Sequence, residues 1–170
     1  MENPESANPI RNVSDTALWV AVYRAMESER KDALFHDPFA RRLAGERGQA
    51  IVDAMPRGKE LAWAMIVRTA VMDELILQCI RDGATSILNL AAGLDTRAYR
   101  LDLPESLHWY HVDFPPMVEY VKDKLTGEKP RCALEYVAAD LREPEQRDSI
   151  FRKAAENGPV LVITEGLLVY

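Results

Sequence analysis

Cysteine is scarce in this 170-residue chain: Cys79 and Cys132 are the only two, and no C-x-x-C spacing joins them. That excludes a disulfide framework, and reduced thiols are the simple reading, one in an apolar helix and one just before a strand. Histidine is also rare. His36, His108 and His111 share no metal-ligand spacing, so no metal site is expected. No apolar run approaches the roughly 20 residues of a membrane span. The N-terminal MENPESANPIRN lacks the charged-then-apolar pattern of a signal peptide, and the expectation is a soluble cytoplasmic protein with no membrane partner. Basic charge is short as well, with 21 Lys+Arg against 27 Asp+Glu and a formal net charge of −6. A general nucleic-acid binder needs a clustered Lys/Arg surface, and none is present.

What remains is globular composition, 48% apolar and 28% charged, in a length suited to one domain. Residues 1–82 read as helical. After a Pro/Asn-rich arm over residues 1–13, Ser14 and Asp15 offer N-cap chemistry for a helix to about residue 30, with Leu18, Val22, Ala25 and Met26 at helical spacing. Asp37-Pro38 predicts a second helix start, with Phe39, Leu43 and Ala44 inward and a stop near Gly45 or Gly48. Gln49 to Met55 forms a third segment. A long amphipathic helix then covers about Glu60 to Arg81, its apolar face given by Leu61, Ala64, Met65, Val67, Val71, Leu75 and Ile76.

Residues 83–170 change period. Four short apolar runs, Ser86–Ala91, Leu107–Val112, Leu134–Ala138 and Val160–Thr164, alternate with helical stretches at 115–125 and 143–157. Strand–helix alternation predicts an α/β fold with a parallel sheet and helices on both faces. The chain stops at Tyr170, directly after the fourth strand, which is the pattern of a sheet incomplete at its C-terminus. The exposed fourth strand would be a sticky edge, favouring a homodimer.

In open α/β sheets, ligands bind beyond the carboxyl ends of the strands. Here those ends read Ala91-Ala92-Gly93-Leu94-Asp95, His111-Val112-Asp113-Phe114, Ala139-Asp140-Leu141 and Thr164-Glu165-Gly166. Asp113 stands 20 residues after Gly93, the spacing of an acidic ribose-binding residue in a nucleotide-binding βαβ unit. The glycine signature of a pyrophosphate site is missing, since Gly93 is followed by Asp95, Thr96 and Arg97. A nucleoside without a pyrophosphate needs close backbone approach at one place only, which suits S-adenosyl-L-methionine.

The segments Asn89-Leu-Ala-Ala-Gly-Leu-Asp-Thr-Arg-Ala-Tyr-Arg100, His111-Val-Asp-Phe-Pro115, Ala139-Asp-Leu141 and Thr164-Glu-Gly-Leu-Leu-Val-Tyr170 resemble the leucine carboxyl methyltransferase family, as does Ala33-Leu-Phe-His-Asp-Pro-Phe-Ala40. The likeness is to its bacterial S-adenosylmethionine-dependent branch and covers most of residues 14–170. It implies a Rossmann-like class I methyltransferase sheet, truncated after its fourth strand and carrying a helical N-terminal extension. It also implies S-adenosyl-L-methionine as cofactor and methyl transfer to a small-molecule or protein acceptor, through a carboxylate or hydroxyl oxygen. Position by position, it implies that Arg68 pairs with the methionyl carboxylate and that Ala91 and Gly93 line the methionine portion through backbone. Asp113 would accept from the ribose hydroxyls, Asp140 and Leu141 would hold the adenine, and Glu165 would sit near the methionyl amine and the sulfonium.

Two departures from the family pattern stand out. Protein-methylating members have glycine where Ala91 stands, and their N-terminal lysine at the cofactor carboxylate has no counterpart in Leu18-Trp19-Val20; Arg24 is the nearby cation. Structural readings stand beside these roles. Arg68 suits a surface ion pair, Asp113 and Asp140 suit N-caps, Asp95 and Arg97 suit a cap and an ion pair, and Trp19, Trp63 and Trp109 suit core or interface positions. Two functional alternatives remain: a cofactor-binding fragment without turnover, and a nicotinamide-dependent oxidoreductase, which the lone Gly93 disfavours.

Overall fold

A computed structural model of the chain describes residues 13–55 and 58–167. Residues 1–12 of the N-terminal arm, Pro56 and Tyr170 therefore lie outside the described residues, while Val13 opens the first helix. The chain divides into two compact units, residues 1–68 and 69–170.

In the first unit, helix α1 (Val13–Ser28) packs on helix α2 (Ala40–Ala54). Gly48 permits the approach, since a Cβ there would stand 3.0 Å from the Leu18 carbonyl oxygen and 3.2 Å from Val22. Ala21, Val22, Ala25, Leu43, Ala44, Ile51 and Val52 fill the contact. The helical stop expected near Gly45 is present inside α2, where Gly45 takes the non-helical φ 58° and ψ −173° and separates two helical stretches, the second beginning before Gln49. Asp37 does not start α2. Its carboxylate accepts the Phe39 N–H at 3.1 Å and the Arg24 Nε–H at 2.9 Å, and regular helix begins at Ala40. Asp15 likewise lies inside α1 and not at its cap; it is buried, and its carboxylate receives Arg47 Nη2 at 2.8 Å.

Helix α3 (Gly58–Arg81) crosses the boundary between the units. Its buried stripe is Ala62, Ile66, Thr69, Asp73 and Ile76, a 4-3-4-3 spacing. Of the face expected from apolar positions only Ile76 is buried, while Val71 and Leu75 are exposed; Leu61's side chain lies outside the described residues. The inward face holds two polar residues, so counting apolar positions rotates it. Trp63, also on α3, is 61% exposed, so it is no core residue, whereas Trp109 is fully buried.

In the second unit, strands β1 (Ser86–Leu90), β2 (His108–Asp113), β3 (Ala133–Ala138) and β4 (Val160–Thr164) form one parallel sheet in the order β3-β2-β1-β4. Central β1 is buried throughout, its Ile87, Leu88 and Leu90 apolar and its Ser86 and Asn89 buried with them. The outer strands are only partly covered, and Val162 on β4 is exposed. A short helix that the periodicity does not signal, α4 (Arg97–Arg100), follows β1; α5 (Pro115–Lys124) and α6 (Pro144–Ala155) follow β2 and β3. Both longer helices open on proline, whose missing N–H costs nothing in a first turn. On one face, Leu88, Leu90, Tyr110 and Val112 pack with Ile150 and Ala154 of α6. Strand alternation sends Asn89, His111 and Asp113 to the other face. No described helix is long and apolar enough to cross a membrane.

Candidate cofactor site at the strand ends

The loop after β1 is pinned by side chains of β1 and β2. Asn89 Nδ2 donates to Asp95 Oδ2 at 2.8 Å, and the Asp95 carboxylate also accepts the Arg97 backbone N–H at 2.7 Å. The Gly93 peptide is held at both ends: its N–H donates to Asp113 Oδ2 at 2.7 Å, and its carbonyl lies 3.2 Å from His111 Nε2. A carbonyl only accepts, so Nε2 carries the proton. Burial pushes the His111 pKa below its ordinary value, against the pull of Asp95 and Asp113, and keeps the ring neutral. Its ring lies against Tyr136, with centroids 5.0 Å apart.

These contacts fix a loop that turns through two left-handed residues, Ala91 at φ 50° and Gly93 at φ 54°. Gly93 adopts this freely, whereas Ala91 carries a strain of about 1 kcal/mol. Glycine is the unstrained choice at position 91.

Asp113 is not the cap of α5. Its second oxygen, Oδ1, accepts the Phe114 N–H at 2.7 Å, and Phe114 itself occupies the cap position. Each oxygen keeps a lone pair, because a carboxylate offers about four acceptor sites. Asp140 is not a cap either, since Glu143 holds that position for α6. The Asp140 carboxylate instead takes the Arg142 backbone N–H at 3.0 Å, Nε at 2.9 Å and Nη2 at 2.6 Å. Arg142's hydrogen bonds lower the Asp140 pKa to about 2. Leu141 gives part of its side chain to the core beneath α6.

Glu165, at the end of β4, reaches the Arg97 guanidinium, which also meets Asp95 at 2.8 Å and Asp73 at 2.6 Å. Arg100, one helical turn on, closes on the same Asp73 carboxylate at 2.6 and 2.8 Å. Burial alone would lower the Arg97 pKa, but Asp95, Glu165 and Asp73 outweigh it and raise it above the ordinary arginine value. The cap and ion pair expected of Asp95 and Arg97 are thus present, inside a five-residue network.

Of the predicted residues, Ala91, Gly93, Asp113, Asp140, Leu141 and Glu165 all stand at strand ends of the second unit. Arg68 is half-buried on α3, within the first unit. Arg24 is spent on the buried Asp37. Sequence reasoning missed Asp73, Arg100 and His111. The signal for Asp73 was its place at i+4 from Thr69 and i−3 from Ile76.

The sequence profile of the leucine carboxyl methyltransferase family matches residues 17–170. The chain belongs to that family. Relatives include proteins of Streptomyces coelicolor, 36% identical over 91% of this chain, and Streptomyces avermitilis, 34% identical over 91%. A Mycobacterium tuberculosis protein is 34% identical over 94% of it. All three bear the name "putative S-adenosyl-L-methionine-dependent methyltransferase". The chain spans 58% of the length of the two Streptomyces relatives and 57% of the mycobacterial one. The α/β architecture with its four parallel strands accords with the Rossmann-like fold of a class I methyltransferase.

Proposed function

We propose that the strand ends bind S-adenosyl-L-methionine and that the protein is a methyltransferase acting on an oxygen nucleophile, a carboxylate or hydroxyl of a small molecule or protein. The observation that carries this reading is the Gly93–Asp113 clamp. It sets a close-approach backbone turn beside a carboxylate with lone pairs to spare, as a nucleoside without a pyrophosphate requires. Support comes also from the relatives' names.

The chain's residues would divide the work as follows. Asp113 accepts from the ribose hydroxyls through the lone pairs that Gly93 and Phe114 leave unused. Ala91 and Gly93 present backbone to the methionine portion, Asp140 accepts from the adenine amine, and Leu141 adds backbone and apolar contact. Arg68, in the first unit, keeps only the role that the family resemblance implies, a guanidinium fork suited to the methionyl carboxylate. Glu165 lends its charge to the amine and sulfonium while tethered to Arg97. The bound cofactor supplies an electrophilic methyl group, and the protein's part is positioning and exclusion of water.

Calorimetric titration with S-adenosylmethionine and S-adenosylhomocysteine tests the reading. Saturable binding of both is expected, with Asp113→Ala lowering affinity at least about 100-fold, as loss of two charge-assisted hydrogen bonds implies. An Asp113→Ala protein that binds as tightly as its parent would remove the ribose assignment.

A further inference from the structure

The structure assigns Arg142 as a displaceable cover over the base-binding end of the site and as a residue that sets which purines are accepted. The assignment rests on the reading above, in which Asp140 receives the exocyclic amine of the base. Arg142 bridges two strand ends: its guanidinium forks onto Asp140, after β3, and lies 5.8 Å from the centre of the Phe114 ring, after β2. Phe114 is 47% exposed, a flat apolar surface beside Asp113 of the kind a purine stacks on. The guanidinium therefore occupies both features a base would use, the ring face and the carboxylate.

Nothing in the loop depends on that side chain. The Asp140 N–H donates to Gln146 Oε1 at 3.2 Å, the Asp140 carbonyl accepts the Glu143 N–H at 3.0 Å, and the Leu141 carbonyl accepts from Arg147. The backbone N–H of residue 142 closes its own turn onto Asp140 whatever the side chain. The Arg142 side chain is 81% exposed, and such pairs are held weakly.

A 6-amino purine offers Asp140 an N–H donor in place of the guanidinium and slides over Phe114 as the arginine swings out. A 6-oxo purine puts an acceptor, O6, where the amine was and carries its donor one atom away, at N1–H. It meets Asp140 only through N1–H, which brings O6 beside the carboxylate, and the Arg142 guanidinium already at that spot can donate to O6. The side chain thus penalises the adenine ligand slightly and shields the hypoxanthine ligand from a bare carboxylate.

The experiment compares the chain with Arg142→Ala by calorimetry, using S-adenosylhomocysteine and its 6-oxo counterpart S-inosylhomocysteine at low and at high salt. The variant is expected to bind the adenosyl ligand about threefold to tenfold more tightly, the scale of one exposed ion pair plus one weak cation–π contact. It should bind the inosyl ligand more weakly, and high salt should narrow the adenosyl difference by screening the parent's ion pair. Structural damage would weaken both ligands, so opposite signs identify the cover. Weakening of both ligands, or no change in either, overturns the assignment. A folded parent that binds neither ligand overturns the cofactor reading itself, without reference to the variant.

Discussion

Two aspartate–arginine pairs flank the strand-end loops of the sheet, Arg97–Asp73 and Arg142–Asp140, and both have closest contacts of 2.6 Å. In one, Arg97 and Asp73 have side chains 4% and 10% exposed; in the other, Arg142 is 81% exposed and Asp140 25%. Equal distance conceals unequal roles. Buried charges cannot turn to water, so Arg97 gathers Asp95 and Glu165 as well as Asp73, and the five residues become a fixed support between α3, the loop after β1 and the end of β4. The exposed fork has water as an alternative at every moment, which suits a group that must give way to a ligand.

The sharpest way to break the comparison is to remove each arginine and measure stability. Arg97→Ala leaves Asp95 and Glu165 without their shared cation and should cost about 3–5 kcal/mol, read as a fall in the denaturant midpoint. A cost below about 1 kcal/mol would mean that water reaches the network and that its burial is not the controlling factor.

The next effect tests the pinned loop that connects the two regions. His111→Phe preserves a ring against Tyr136 but deprives the part-buried Gly93 carbonyl of its donor, for an expected loss of about 1–2 kcal/mol. The parent should also weaken as pH falls below about 6.5, because the unfolded histidine takes up a proton that the buried ring resists. The Phe variant should lose that part of the pH dependence. An unchanged acid limb near pH 6 in the variant would place the proton uptake elsewhere.

The parallel sheet was legible in sequence because short, largely apolar runs alternate with well-punctuated helices, whereas alternation alone does not fix the order β3-β2-β1-β4. The strand-end residues were legible for the same reason, since the ends of strands are where ligands meet such sheets. What escaped was polar residues facing inward. Asp73 and Thr69 occupy core positions of α3, so apolar counting placed the buried face on Val71 and Leu75, which are exposed. Asp73 is buried only because Arg97 and Arg100 come to it from residues 24 and 27 further along the chain. Short-range periodicity carries no trace of such a partner. Asp37 misled in the opposite sense: its cap-like sequence was real, but the carboxylate is divided between Phe39 and Arg24, and the helix begins later.

The smallest expected effect lies in the exposed fork. Arg142 holds the Asp140 pKa at about 2 in the folded protein, below the 3.8 of an unperturbed aspartate. The folded state therefore binds fewer protons than the unfolded state between about pH 4 and pH 2. Stability from this pair is present in full above the unfolded value and is lost as pH falls through the folded one. Because both side chains are at the surface, salt should flatten the dependence as effectively as mutation does. Arg142→Ala at low salt and the parent at high salt should accordingly show the same shallow slope in this window, by acid titration of the unfolding midpoint. The Arg97 network should keep its contribution in high salt, since ions screen buried pairs much less. If salt weakened the buried network as much as it weakened the exposed pair, burial could not be what separates the support from the cover.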